Sequence, residues 1–335
     1  MAFASELRHV IGAAAAIAAT AVLVWFGTGL DPAWPLLWFA PLPVLLYAGR
    51  AGWWSTAGVA FVGWLIGNLN LWSYMRHSIQ MPFGIAIGIA GGFALVFTIA
   101  VLLYRTLLRR GAAWYALLVF PAAWVVFEYL LNVAWVNGTG FNLAYTQLAF
   151  LPFLQLASFT GPWGMSFLLL LFPAAMAISL HLRRHQPGTA VAIGSTAFAT
   201  IFAVLIFGTA RLAMPQQSQT MRVGLVASDT YGMAAAGAPA MQVFKAYAAH
   251  ITALAARGAQ VVVLPEKSAV VNHATQPAAD AFFGSLSSQT GAAIAVGVTY
   301  EAADKTEYNQ ARLYRPFKPV LTYAKHHLLP PFESE

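Results

Sequence analysis

Cysteine is absent from all 335 residues, which removes disulfides, thiolate metal sites and every thiol nucleophile. Charge is scarce as well. Only 9% of residues are Asp, Glu, Lys or Arg and 59% are hydrophobic, whereas soluble domains carry about a quarter charged residues. A chain of that composition has too little polar surface to cover itself in water. The shortage is uneven, because Asp, Glu and Lys are rare before Met221 and ordinary after it. The sequence therefore divides into a membrane domain over 1–213, a linker over 214–220 and a water-facing segment over 221–335. The formal net charge of +7 could suggest nucleic acid. Many of the arginines, however, sit singly or in pairs between apolar runs, where they would face lipid headgroups, so nucleic-acid binding is not expected.

Crossing the hydrocarbon core takes roughly 20 apolar residues as helix, because lipid offers the backbone no hydrogen-bond partner. About seven stretches qualify: 10–30, 34–48, 53–74, 82–104, 114–131, 162–181 and 190–213. The first is read as an uncleaved helix, since further spans follow it. The second is short, and Pro35, Pro41 and Pro43 predict a broken or re-entrant path. Counting alternate sides from the N-terminus places Arg8, Arg50, Arg105, Arg109, Arg110, Arg183 and Arg184 together, against Arg76 on the opposing side. Short basic loops stay in the cytoplasm, so the N-terminus is expected to be cytoplasmic and residues 221–335 to lie outside, which in a bacterium is the periplasm. Gly84, Gly88 and Gly92 recur at four-residue spacing, a pattern that lets a neighbouring helix come close. Glu128 is a carboxylate inside or near the membrane, where an acid needs a partner or a task; a structural hydrogen bond near the interface is favoured over direct chemistry. A transporter would show more intramembrane charge or two similar halves with interrupted helices, and neither pattern is visible.

From Met221 onward, short β-branched runs alternate with helical stretches, the pattern of α/β layering. Strands are predicted over 221–227, 260–264, 292–300, 309–315 and 320–323, with helices over 240–257 and 278–290. The 260–264 strand is almost wholly apolar, as expected of a strand buried on both faces. Glu266 follows that strand and Lys325 follows the last one, positions where a rigid sheet can hold reactive groups. Taken alone, a glutamate after a strand is most often a solvated loop residue or helix cap, and a lone lysine in a basic tail most often a surface charge. His326 and His327 are adjacent on an extended segment and point to opposite faces, and His273 is isolated. No metal site and no cofactor is expected.

Several segments taken together resemble the apolipoprotein N-acyltransferase family, bacterial membrane enzymes that carry a nitrilase-like (carbon-nitrogen hydrolase) domain. Val262-Val263-Leu264-Pro265-Glu266 resembles the strand that delivers the nitrilase glutamate. Tyr308-Asn309-Gln310-Ala311 matches a Tyr-Asn-x-Ala strand of the family. The run from Tyr323 through Lys325 to Pro330-Pro331-Phe332-Glu333 resembles its lysine motif. In the membrane part, residues 124–130 with Glu128, then Thr139-Gly140-Phe141, Tyr145-Thr146-Gln147, Gln155-Leu156-Ala157-Ser158 and 161–167, recur in the same order. The resemblance implies a polytopic α-helical membrane domain followed by a partial α/β, nitrilase-like αββα domain. It implies Glu266 as general base on a cysteine thiol, Lys325 as the group that stabilises the oxyanion, and Glu333 as a supporting acid. It also implies an acyl chain taken from phospholipid, held as a thioester, and passed to the N-terminal amine of a lipoprotein or a related acceptor, by a monomeric protein of the bacterial inner membrane.

Three departures bear on this. In the family the nucleophilic cysteine lies beyond the lysine motif, and these 335 residues hold none. The sequence is accordingly expected to be C-terminally truncated or a gene fragment and to lack acyltransferase activity as it stands, with apolar sheet surface left uncovered. Pro330-Pro331-Phe332-Glu333 stands for the commoner Pro-Phe-Gly-Glu, and Ala227-Ser228 for a frequent glutamine, which suggests a divergent subgroup with another acyl acceptor. A membrane-tethered amidase or hydrolase that uses water, and an inactive membrane scaffold, are the alternative readings.

Overall fold

The computed structural model describes residues 2–134, 138–215, 220–227 and 239–327. The chain separates into two compact units, Met1–Pro215 and Gln216–Glu335.

The first unit is helical: α1 (Ala2–Gly27), α2 (Trp34–Leu37), α3 (Leu42–Ala48), α4 (Trp53–Asn68), α5 (Phe83–Arg109), α6 (Ala113–Ala134), α7 (Leu151–Leu154), α8 (Ala157–Leu182) and α9 (Pro187–Ala213). Among the described residues, five helices (α1, α5, α6, α8 and α9) are long and apolar enough to cross a bilayer, and the chain is a membrane protein. The other two expected spans differ. Prolines at the start of α2 and α3 give each a fixed first turn but leave no continuous N–H ladder from 34 to 48, so the segment is two short helices rather than one. Helix α4 has 16 residues, about 24 Å of rise against a core of about 30 Å. It continues through a 3-10 turn, Leu69–Leu71, and a π turn, Tyr74–Ser78.

Close helix contact falls on glycines other than the predicted stripe. A Cβ on Gly67 would sit 2.4 Å from Val24 Cβ, and one on Gly208 would sit 1.8 Å from the Pro152 carbonyl oxygen. These two positions fix α4 against α1 and α9 against α7. Gly84, Gly88 and Gly92 have nothing within 4 Å of such a Cβ. The four-residue repeat is real, but it faces away from the bundle. The buried core is aromatic: Trp64 stacks on Phe97 with ring centroids 4.0 Å apart, and Trp124 meets Trp64 edge-on at 5.3 Å.

The second unit holds β1 (Val223–Leu225), α10 (Ala240–Ala256), β2 (Val261–Val263), β3 (Val270–Asn272), α11 (Gln276–Thr290), β4 (Ala293–Glu301), β5 (Glu307–Arg315) and β6 (Lys318–Ala324). Its sheet runs β1-β2-β4-β5-β6, with β3 also paired to β4. The β1, β2, β3 and β4 pairings are parallel, and those of β5 with β4 and β6 are antiparallel. Strand β3 was not expected from the sequence: Val270-Val271-Asn272 is too short to show a period. Helices α10 and α11 cover one face. Phe244 and Phe283, fully buried with centroids 4.9 Å apart, join the helices over Val262, Ile294, Val296 and Val298. Each such aromatic contributes about 1.5–3 kcal/mol on burial. On the opposite face, Leu225, Val263, Ala295, Leu313 and Leu321 form one aliphatic row across five strands. Leu225 and Leu321 are exposed in that row.

One ion-pair cluster ties α11 to β5. The Arg312 guanidinium, 3% exposed, meets both Asp280 oxygens at 3.0 and 3.2 Å, and Tyr314 donates its hydroxyl to Asp280 at 2.7 Å. Burial, then the Asp280 carboxylate, push the Tyr314 phenol well above its ordinary range.

Candidate active site

The site begins with a mismatch in strand length. On β4, Ala295 pairs with Val263 of β2 and Thr299 with Val270 of β3. Four steps along β4 thus face seven along the other strand, 270 − 263 against 299 − 295, so three residues are in excess. The excess loops out as a turn over 265–268. Ser268 closes it, donating its hydroxyl to the Pro265 carbonyl at 2.7 Å and its backbone N–H to Gly297 O at 2.9 Å. Lys267 takes a left-handed φ of 51°. The turn lies directly over Gly297, where a Cβ would come within 2.5 Å of Pro265 O and 2.6 Å of Glu266 Cα. Glycine in mid-strand here is the condition for Glu266 to sit above the sheet.

Two further groups reach Glu266 from the neighbouring strands. Asn309, 8% exposed on β5 and opposite Thr299, donates its side-chain amide to Glu266 Oε1. Lys325, immediately after β6, places its ammonium 3.1 Å from the same oxygen. The backbone N–H of Lys325 is held by Asn309 O at 2.8 Å, which sets where that side chain starts. Residues 43 and 59 positions apart in sequence therefore converge on one carboxylate. Glu266 is 61% exposed and Lys325 34%, so the pair adds only about 0–1 kcal/mol to stability. Such a carboxylate is placed to accept a proton, and the ammonium beside it to stabilise negative charge developing on a nearby oxygen.

Sequence reasoning singled out Glu266 and Lys325, which the structure brings together. Glu333 lies outside the described residues, as does Ser228. The sequence marks Asn309 as part of a strand motif without assigning it a role, and it does not single out Gly297. A glycine inside an otherwise apolar strand is the signal that could have found it. Among the described residues, no group of three or more His, Cys, Asp or Glu side chains is placed to hold a metal ion.

Glu128 belongs to a different kind of site. It is 1% exposed in the first unit. It accepts the Trp124 indole N–H at 2.9 Å, the Leu143 backbone N–H at 2.8 Å and the Asn142 amide at 3.2 Å. Asn132 extends the network, donating to Asn142 Oδ1 at 3.0 Å and accepting the Trp163 indole N–H at 3.0 Å. Gln147 accepts the Trp38 indole N–H at 2.9 Å and donates to Trp34 O at 3.0 Å. Glu128 thus anchors the connection after α6 to the bundle, the structural role favoured by the sequence.

Residues 20–175 match the family described as apolipoprotein N-acyltransferase N-terminal domain. The chain is 30% identical over 297 residues to the apolipoprotein N-acyltransferase of Caulobacter vibrioides, covering 83% of this chain and 54% of that protein. It is 24% identical over 203 residues to the apolipoprotein N-acyltransferase of Geobacter metallireducens, covering 57% of this chain and 38% of that protein. The chain spans about half the length of the first of these curated relatives and less of the second.

Proposed function

We propose that this chain, which belongs to the apolipoprotein N-acyltransferase family, supplies the membrane anchor, the general base and the oxyanion cation of an acyl-transfer reaction at a bacterial inner membrane. The convergence of Glu266, Asn309 and Lys325 carries this reading. Glu266 takes the proton of a thiol, and the thiolate attacks the ester carbonyl of a phospholipid. Negative charge on the carbonyl oxygen is met by the Lys325 ammonium. Collapse of the tetrahedral adduct breaks the ester bond, and the leaving alkoxide recovers the proton held by Glu266, giving a lysophospholipid and a thioester. The amine of a lipoprotein, or of a related acceptor, then attacks the thioester, forms the amide and returns the thiol. Asn309 positions Glu266 by holding one carboxylate oxygen and leaving proton transfer to the group as a whole. The domain division at about 214–220 and a periplasmic location for residues 221–335 go with this reading. The bias of arginines to one set of loops supports that orientation.

With no cysteine in residues 1–335, these residues provide base and cation but not the thiol, and the 335-residue polypeptide by itself forms no acyl-enzyme. The test is phospholipid-dependent acylation of a diacylglyceryl peptide by the protein translated to the stop codon of its gene, alongside the Glu266→Gln and Lys325→Ala variants. Loss of transfer in both variants is the expected result. Undiminished transfer by either, or a covalent acyl adduct on the 335-residue polypeptide, would contradict it.

A further inference from the structure

We propose that a groove between α1 and α3 binds one anionic phospholipid, with its phosphate at Arg8 and Arg50 and an acyl chain along the small-residue face of α1. This site uses no residue of the acyl-transfer cluster. A cavity of about 520 Å³ lies there, with Arg8, His9 and Arg50 in one part of its lining and Gly12, Ala16 and Leu46 in another. That volume is within the range of small-molecule sites, about 300–1,000 Å³.

The groove exists because α1 presents Gly12, Ala15, Ala16 and Ala19 to α3, side chains too short to fill the space. A Cβ on Gly12 would meet only Tyr47, at 3.9 Å. The polar part is cationic by construction. Among the described residues, its lining includes three basic side chains and no carboxylate. Two more guanidinium groups reinforce it from behind. Arg105 binds Ala51 O at 3.0 and 2.8 Å, and Arg109 reaches Gly49 O at 3.5 Å, both in the turn between α3 and α4 that carries Arg50. Free phosphate has no use for the apolar slot, and a lipid without net charge has little for the arginines. Basic pockets between membrane helices select anionic headgroups for this reason.

Native mass spectrometry of the full chain in detergent tests the site, with phosphatidylglycerol, phosphatidylethanolamine and glycerol 3-phosphate titrated in parallel. We expect one retained phosphatidylglycerol, held more tightly than the other two. The Arg8→Ala/Arg50→Ala double variant should weaken it about thirtyfold, at about fivefold for each basic group near a headgroup. Gly12→Leu fills the slot without removing charge, and should abolish retention while the protein stays monodisperse, so the proposal remains testable if the double variant misfolds. Equal retention of both lipids, or retention unchanged in Gly12→Leu, would overturn the site. So would glycerol 3-phosphate binding as tightly as the lipid, and a dimeric mass without lipid would assign the groove to a second copy of the chain instead.

Discussion

Glu128 in the first unit and Glu266 in the second each sit at the centre of a hydrogen-bond cluster, and the two clusters are built on opposite principles. Glu128 in the helical unit is 1% exposed and surrounded by neutral donors: an indole, a backbone amide and a side-chain amide. Glu266 in the sheet unit is 61% exposed and shares one oxygen between an amide and an ammonium. Neutral donors satisfy a buried acceptor without bringing a second charge out of water, so the first arrangement suits architecture. A solvent-accessible carboxylate beside a cation gains little stability and is available to exchange protons, so the second suits chemistry.

The largest effect that would sharpen this contrast is on rate. Glu266→Gln should lower acyl transfer by about 10²- to 10⁴-fold with the unfolding midpoint unchanged, measured on the protein translated to its stop codon; comparable losses of rate and stability would erase the distinction. Next is Arg312→Ala, which leaves the Asp280 carboxylate without its guanidinium partner and with only neutral donors, the Tyr314 hydroxyl and the Gln276 amide. Urea unfolding followed in the second unit should show a loss of about 3–5 kcal/mol. Glu128→Ala removes the acceptor of the Trp124 and Leu143 donors together. Thermal stability in detergent should fall by about 1–3 kcal/mol, and Glu128→Gln, which keeps one carbonyl oxygen, should lose less. A Glu128→Ala protein with full stability and no activity would move Glu128 into the chemistry. Smallest is Lys325→Ala read as stability alone, which should change by less than about 1 kcal/mol, although the same substitution should remove most transfer.

How much of this was legible in the sequence follows the length scale of each signal. Long apolar runs announce helices by themselves, so α1, α5, α6, α8 and α9 coincide with expected spans to within a few residues at most ends. The segment 34–48 was legible as irregular because proline acts locally. The glycine stripe on α5 misled because a repeat says that one face is small, not which face meets a neighbour. In the second unit, Glu266 and Lys325 stood out at strand ends, but their meeting depends on register. It takes the pairing of β4 with both β2 and β3, and the antiparallel steps to β5 and β6, to put positions 266, 309 and 325 in one place. Arg312 was invisible for the same reason, since its partner Asp280 lies 32 residues away on a helix.

The most direct test of the account is a double-mutant cycle on acyl transfer with Glu266→Gln, Lys325→Ala and the pair, in the protein translated to its stop codon. If the two side chains act as one unit, the double variant is no slower than the slower single variant, because groups that work together lose their contribution together. Losses that simply multiply would mean that Glu266 and Lys325 act independently, and the 3.1 Å contact between them would not be part of the reaction.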